Sequence, residues 1–266
     1  DLSRLRNMKK RIGWRLLSIA RSKETDMPRF FIEAPGAGQA VITGADARHI
    51  ARVLRMREGE AITLCDQQGF DYSGVIAELS ENAVSVDITG KFPSKSEPSI
   101  HVHLFQAMPK SDKMELIIQK SVELGVCEIT PVFTKRCVSR PDAKSMRKKL
   151  ERYRKISLEA AKQSGRGCVP VIHEALSLDD ALAKMSAYTL PLCFYEQAKT
   201  PLREVLGSEW NRVSILIGSE GGFEEWEAEQ AAEAGCRIAS LGPRILRCET
   251  APLAALSAIM FASGNL

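Results

Sequence analysis

The chain has 266 residues, enough for one large or two modest domains, each with its own hydrophobic core. Its composition is that of an ordinary globular protein, and the absence of any run of 18 or more apolar residues excludes a membrane-spanning helix. The seven cysteines form no Cys-x-x-Cys pair, which favours a reduced, cytoplasmic chain without a structural zinc site.

The net charge of +4 is concentrated in the first segment of the chain. Residues 1–26 carry eight Lys or Arg and three acids, and subtracting their +5 from the total leaves −1 for residues 27–266. Overall charge therefore gives no argument for a nucleic-acid partner. This Arg-rich segment fits either an organellar transit peptide or sequence preceding a natural start at Met27. We expect it to be disordered or non-native and exclude it from the fold.

Residues 27–92 read as a small β-domain with one helix. Turn residues such as Pro35-Gly36 and Gln68-Gly69 separate the short apolar segments, and one helix is predicted from about Asp46 to Met56. The predicted strands are 29–33, 39–43, 61–66, 72–79 and 83–89. A β-barrel is the expected outcome, and the Pro- and Ser-containing residues 93–99 have the composition of a linker.

From residue 100 onward, strands and helices alternate. The predicted strands are 100–107, 127–133, 169–173, 189–195, 213–217 and 237–241. The predicted helices are 112–124, 142–164, 178–186, 201–207, 224–234 and 251–263, the last with Thr250 as N-cap and Pro252 in its first turn. This alternation predicts an α/β domain over 100–266, with a parallel sheet and helices on both faces. General topology rules favour an unknotted open sheet, because knots are rare.

Two loops follow predicted strands and combine glycines with charged residues. The first reads Gly-Ser-Glu-Gly-Gly-Phe at 218–223, and the second, at 241–251, carries Arg247 and Glu249 among apolar residues. Glycine permits close approach of the backbone to a ligand, and ligands bind outside the carboxyl ends of strands in such sheets. The pair of loops therefore predicts a ligand site.

These two loops resemble the signature of the trefoil-knot (SPOUT) RNA methyltransferases, most closely the group that methylates N3 of a uridine in bacterial small-subunit ribosomal RNA. Residues 49–56, 119–126 and 160–166 fit the same family, so the resemblance covers about residues 27–266. It departs at Ser219, where the family usually has proline. The resemblance implies a knotted methyltransferase domain, a PUA-like RNA-binding domain and a homodimer.

By the same resemblance the cofactor is S-adenosylmethionine, held by the two glycine loops and by the loop after Tyr195. The cofactor-binding candidates are Tyr195, Ile217, Gly218, Glu220, Gly221, Gly222, Leu241, Gly242, Ile245, Leu246 and Thr250. The glycines match neither the phosphate-binding P-loop nor the dinucleotide fingerprint. No metal is expected, since His101 and His103 on one face of a strand lack a third ligand.

Methylation of uridine N3 requires removal of its proton or stabilisation of the negative charge that spreads to O2 and O4. Arg247 is the candidate for charge stabilisation, because a planar guanidinium can face a carbonyl oxygen. Glu220 or Glu249 is the candidate base, or the group that orients Arg247. Either carboxylate could instead cap a helix N-terminus.

RNA contacts are predicted first on the helix near Arg48. With α-helical periodicity, Arg48, Arg52 and Arg55 share one face, while Ile50, Val53 and Leu54 face the small domain. Such a basic stripe could also be a solvated surface. The remaining RNA-contact candidates are Arg29, Gln163 and Arg166.

The expected partner is small-subunit ribosomal RNA or the assembled small ribosomal subunit, without a membrane. Two alternatives stay open at this point. One is a knotted methyltransferase that acts on a ribose 2′-hydroxyl or on transfer RNA. The other is a ribosome-assembly factor that retains the fold but has lost catalysis.

Overall fold

A computed structural model describes residues 27–33, 35–36, 38–207 and 210–266, and the basic segment 1–26 lies outside these described residues. The chain divides into two compact units, with the boundary between Ser94 and Lys95. None of the described helices is both long enough and apolar enough to cross a lipid bilayer.

The first unit is built on a five-stranded sheet. Its strands are β1 (Arg29–Phe31), β2 (Gln39–Thr43), β3 (Ala61–Cys65), β4 (Phe70–Leu79) and β5 (Ala83–Pro93), in the order β1-β3-β4-β5-β2. Strands β3, β4, β5 and β2 pair antiparallel, and β1 is parallel to β3. Apolar residues alternate inward along these strands, as Ala40 and Ile42 do on β2. The small β-domain predicted from the sequence is therefore present.

The helix predicted over residues 46–56 has a different form. A short α-helix, α1 (Gly44–Arg48), continues into a π-helical segment, His49–Leu54, and Arg55 then adopts a left-handed conformation at φ 54°. A π-helix bonds i to i+5 and is wider than an α-helix, so residues spaced by four and seven do not form one stripe. Ile50 is buried, but Val53 is 66% exposed. The predicted inward orientation of Val53 and Leu54 is wrong for this reason.

The second unit contains the parallel sheet. Its strands are β6 (His101–Ala107), β7 (Glu128–Phe133), β8 (Val171–Ile172), β9 (Leu176–Ser177), β10 (Leu190–Phe194), β11 (Arg212–Ile217) and β12 (Arg237–Ala239). Its helices are α2 (Lys113–Glu123), α3 (Ala143–Gln163), α4 (Leu178–Met185), α5 (Leu202–Val205), α6 (Glu225–Glu233) and α7 (Ala251–Ala262). Every predicted element of this unit is present, and only the two-residue strand β9 was not predicted.

The sheet runs in the order β12-β10-β11-β6-β7-β8, β9 also pairs with β7, and every pair is parallel. The central strand β6 is buried on both faces from Val102 to Ala107, as expected for a sheet covered by helices on both sides. Helices α4 and α6 pack on β10 and β11 in one apolar cluster, and α7 packs against β11 and α2. The knot implied by the family resemblance stays a prediction.

Arg166 is a structural residue in the second unit. Its side chain is 3% exposed, its Nε and Nη2 donate to the two carboxylate oxygens of Glu97 at 2.9 and 2.8 Å, and Nη1 donates to the carbonyls of Val122 and Val126. Glu97 also accepts from the backbone N–H groups of Gly167 and Cys168. The guanidinium is thus enclosed by protein acceptors. The enclosed guanidinium does not support the predicted RNA contact of Arg166, which stays a prediction.

We expect Arg166→Ala to lower the free energy of unfolding by about 3–5 kcal/mol, because it leaves the Glu97 carboxylate partly buried without its cation. Arg152→Ala is the matched control, since Arg152 pairs with Glu115 at 2.6 Å but is 65% exposed. An exposed pair contributes less than about 1 kcal/mol. Urea unfolding of both variants measures the difference. Equal losses would show that the Arg166 pair adds nothing beyond a surface pair.

Candidate functional site

A cavity of about 800 Å³ lies beyond the carboxyl ends of β10, β11 and β12. Its lining comes mainly from three loops, which the strand order places side by side: 194–201, 217–223 and 239–251. Of the eleven predicted cofactor-binding residues, ten line it: Tyr195, Ile217, Gly218, Glu220, Gly221, Gly222, Leu241, Gly242, Ile245 and Leu246. The eleventh, Thr250, lies outside the lining. Arg247 lines the cavity as well.

The first glycine loop folds into a tight turn that leaves no space for side chains at its glycine positions. The Gly222 N–H donates to the Ser219 carbonyl at 3.0 Å, and Gly222 has a φ of +66°. A Cβ on Gly218 would lie 3.1 Å from the Gly222 Cα, and one on Gly221 would lie 2.9 Å from the Cβ of Arg136. Glycine is therefore required here by packing as well as by backbone conformation.

Two neighbouring side chains hold this loop in place. Arg136, after β7, donates to the Gly221 carbonyl at 2.9 Å and pairs with Glu224 at 2.8 Å. Gln106, on β6, donates to the Gly218 carbonyl at 3.2 Å. The Ser219 hydroxyl is buried beside the cavity, and within the described part of the chain it has no hydrogen-bond partner. Since buried polar groups are normally paired, this hydroxyl marks a place for a polar ligand atom.

The second loop presents exposed side chains to the cavity. Arg247 is exposed, and Ile245 is 87% exposed. The loop is closed by two hydrogen bonds from the Thr250 and Ala251 N–H groups to the Arg247 carbonyl, at 2.8 and 2.9 Å. Helix α7 follows at once, with Pro252 in its first turn, as the sequence predicts. Thr250 is the N-cap residue, as predicted, although its side chain makes no capping hydrogen bond.

Lys113, the first residue of α2, is the functional side chain that sequence reasoning missed. Its Nζ lies 3.0 Å from Glu220 Oε1 and 3.1 Å from Glu249 Oε2, and it lines the cavity. It thus joins the two glycine-loop segments through their acids. Lys113 is far from both loops in the sequence, so no local pattern connects it with them. A lysine at the start of an amphipathic helix also looks like any solvated residue.

The two acids are held in the ionised state. Burial acts to raise the pKa of Glu220, but hydrogen bonds from its own backbone, Lys113 and the Lys110 N–H lower it below its usual value. Burial likewise acts to raise the pKa of Glu249, while Cys248, its own backbone and Lys113 lower it. Ion pairing in turn raises the pKa of Lys113. Carboxylates with lowered pKa values are weak bases.

A third acid, Glu196, lines the cavity. Glu196 follows Tyr195 directly after the end of β10. A Cβ added to Gly222 would lie only 2.6 Å from the Glu196 carboxylate. Sequence reasoning missed Glu196, although an acid at a strand end next to a cavity-lining residue was a usable signal. Its carboxylate gives the cavity an acceptor suited to hydroxyl groups.

The predicted RNA-contact residues fall into two groups. Arg48, Arg55 and Gln163 are exposed, and Gln163, at the end of α3, is not part of the cavity lining. Arg52 pairs with Glu81 at 2.6 Å on the surface. Arg29 pairs with Asp71 and donates to Ser94, so it already has protein partners. The contact of these residues with RNA stays a prediction.

A parallel sheet with a glycine-lined cavity at its carboxyl edge defines a cofactor-binding α/β enzyme. Residues 95–260 match the family model described as RNA methyltransferase domain, and residues 42–89 match the one described as RNA methyltransferase PUA domain. The chain therefore belongs to the RNA methyltransferase family, within its ribosomal RNA small subunit methyltransferase E group.

Several known proteins are similar to this chain over most of its length and most of their own. The ribosomal RNA small subunit methyltransferase E of Bacillus subtilis is 37% identical over 247 residues, covering 88% of this chain and 96% of that protein. Its counterpart in Mesomycoplasma hyopneumoniae is 33% identical and covers 85% and 96%. The crystal structure of the Neisseria gonorrhoeae enzyme, bound to S-adenosyl methionine, superposes with a TM-score of 0.78 at 32% identity, covering 89% and 98%.

We expect Lys113→Met to raise the pKa values of Glu220 and Glu249, since their shared cation is lost. The paired carboxylates contribute stability above their unfolded pKa of about 4.3, and that stability is lost as pH falls through the lower folded pKa. The difference in melting temperature between wild type and variant should therefore be largest near neutrality and shrink on acidification. Calorimetric melting from pH 7 to pH 3 measures it.

Lys120→Met, on the same helix, is the control, because Lys120 pairs locally with Glu123 at 2.8 Å. Its effect should be small at every pH. A Lys113→Met difference that does not change with pH would show that Lys113 stabilises the site by packing and not by pairing with the two acids.

Proposed function

We propose that this protein transfers a methyl group from S-adenosylmethionine to N3 of a uridine in small-subunit ribosomal RNA. The observation that carries the proposal is the cavity itself, which is lined by two glycine loops, an exposed Arg247 and the ion pair of Lys113 with Glu220. Membership of the methyltransferase family and the cofactor bound in the Neisseria gonorrhoeae relative support it.

The cavity suits the cofactor in shape and polarity. Backbone groups of the loops at 218–222 and 241–246 lie open beside it, and the unpartnered Ser219 hydroxyl and the Glu196 carboxylate supply polar atoms. Such groups can bind the adenine edge and the ribose hydroxyls. When bound, S-adenosylmethionine supplies an electrophilic methyl group on a sulfonium sulfur.

The chain's own contribution to the chemistry is electrostatic. As the N3 proton of uridine passes to solvent water, negative charge builds up on O2 and O4. Arg247 is exposed at the cavity, and among the described residues no carboxylate pairs with its guanidinium. It is therefore available to donate to a carbonyl oxygen at the position where charge develops. Stabilisation of developing charge is usually the main source of rate acceleration in such reactions.

Glu220 and Glu249 have a positioning role in this proposal. Both are bonded to Lys113 and both have lowered pKa values, so neither is well suited to accept the N3 proton. Their ion pairs hold the first and second loops at a fixed separation. Arg247 lies two residues from Glu249, and its backbone is thereby fixed beside the cavity.

The remaining parts of the proposal concern partners. The first unit contributes RNA binding, in which the exposed Arg48 and Arg55 beside the π-helical segment contact phosphates. The substrate is ribosomal RNA, free or in the assembled small subunit, the active form is a homodimer, and the enzyme works in the cytoplasm. The match of residues 42–89 to an RNA methyltransferase PUA domain supports the first of these.

The test is to incubate the protein with methyl-labelled cofactor and undermethylated small ribosomal subunits, and to identify the labelled nucleoside after digestion. We expect the label in 3-methyluridine. Label in a 2′-O-methylated nucleoside, or only in added transfer RNA, would replace the proposed reaction. Bound cofactor without any transfer would favour the non-catalytic assembly factor.

Arg247→Ala should lower the rate constant for methyl transfer about 100- to 1,000-fold, because one donor to a developing oxyanion is removed. Affinity for S-adenosylmethionine, measured by calorimetry, should change little. Arg247→Lys should not restore the rate, since an ammonium lacks the planar fork.

Arg244→Ala is the matched control. Arg244 is an exposed arginine of the same loop, so its variant removes the same charge from the same segment. A loss of transfer equal in both variants would assign the effect to general attraction of RNA. Full activity of Arg247→Ala would remove Arg247 from the mechanism.

A further inference from the structure

A cluster of metal-ligand side chains lies at the amino-terminal part of the parallel sheet, at the other end of the strands from the cavity. His103 is on β6, Glu128 begins β7, and His173 follows β8 directly. One ligand atom of each lies within 4.8 Å of the other two. The three strands are neighbours in the sheet, which is why residues far apart in sequence converge.

The ring of His103 is fixed in an orientation suited to a ligand. It is fully buried, stacks on Phe105 with centroids 4.0 Å apart, and places Nε2 2.7 Å from the Thr130 hydroxyl. With the proton on Nε2 donated to Thr130, Nδ1 keeps its lone pair. Metal-bound histidines are oriented in this way by a hydrogen bond to the second ring nitrogen.

The distances are close to those of a tetrahedral site. Zinc binds imidazole nitrogen at about 2.0–2.1 Å and carboxylate oxygen at about 2.0–2.2 Å, so adjacent ligand atoms lie roughly 3.3 Å apart. His103 Nδ1 lies 3.6 Å from Glu128 Oε2, and His173 Nε2 is in direct contact with the same oxygen. A small opening of the His173–Glu128 contact would admit the ion.

The cluster is accessible to solvent, and neighbouring side chains form hydrogen bonds to its ligands. The side chains of His173 and Glu128 are 28% and 20% exposed, which provides an entry path. His101 Nε2 bonds the other Glu128 oxygen at 2.7 Å, and the Tyr188 hydroxyl lies 2.6 Å from His103 Nδ1. The Tyr188 hydroxyl and the His101 ring must both reorient when a cation binds. Arg212, over the Tyr188 ring at 5.0 Å, is a cation beside the cluster.

We propose that His103, Glu128 and His173 form a binding site for one divalent transition-metal ion of the zinc type, with water in the fourth position. Two imidazoles and one carboxylate favour zinc over magnesium or calcium, which prefer oxygen ligands only. The ion joins β6, β7 and the segment after β8. The site is separate from the cavity and does not depend on the proposed methyltransferase reaction.

Cobalt(II) titration of the purified, metal-free protein is the first experiment. We expect one equivalent per chain to give the visible absorption of a tetrahedral nitrogen–oxygen site, and zinc to displace it. Zinc should also raise the melting temperature. His173→Ala and Glu128→Gln should each abolish stoichiometric cobalt binding and the zinc-induced rise, while circular dichroism shows that both variants fold.

His49→Ala is the matched control, because His49 is the remaining histidine of the chain and lies in the first unit. It should bind cobalt like the wild type. Thr130→Val should weaken binding about 10- to 100-fold, since it removes the hydrogen bond that orients His103.

Three results would overturn the proposal. The first is no tetrahedral cobalt spectrum in the wild type. The second is unchanged binding in both ligand variants. The third is a sulfur-to-metal charge-transfer band lost in Cys127→Ser, which would assign the metal to the thiol beside His101 in place of the three ligands named here.

Discussion

The position of β10 between β11 and β12 is the constraint on which the site depends. Consecutive strands of a sheet commonly lie side by side, but here β12 pairs with β10 and not with β11. All three strands are parallel, so their carboxyl ends meet at one edge and release three loops into the same space. The cavity is the volume that these loops enclose. Its glycines follow from that crowding: Gly218 and Gly221 have no room for a Cβ because other backbone or a fixed side chain already occupies the space.

Electrostatics divides the charged residues of the site into two kinds. Glu220 and Glu249 both pair with Lys113 across the two loops, and their pKa values are lowered. Arg247 lies in the same loop as Glu249 but is exposed. The pairing thus occupies the two acids with Lys113, whereas Arg244 and Arg247 remain exposed cations of the second loop. The same pairing explains why a carboxylate base is unfavourable here, since a base must hold a proton that these acids have lost the affinity to bind.

The sequence was sufficient for the strand and helix pattern of residues 100–266 and for most of the cavity lining, because glycines and charges stand directly after the strands that present them. It was insufficient for Lys113 and Arg166. Lys113 is identified only by the acids it meets, and both of these lie more than a hundred residues later in the chain. Arg166 was assigned to RNA contact by the family resemblance, whereas in the structure Glu97 and two backbone carbonyls hold its guanidinium. The π-helical segment at 49–54 was missed because its residues fit an α-helical period equally well.

The histidines show the same limit of sequence reasoning, because their neighbours in the fold are far away in the sequence. His101 and His103 alternate on one strand and by themselves indicate an ordinary sheet face. Parallel pairing then places Glu128 opposite His103, and His173 bonds through its backbone N–H to the next residue of β7. A third and a fourth chemical group thus reach the same point through backbone register alone. Register, which hydrogen bonding between strands fixes, brings Glu128 and His173 to His103 and so assembles the three side chains of the proposed metal site. The two ends of one parallel sheet therefore carry two separate clusters of polar groups, one built from loops and one from the strands themselves.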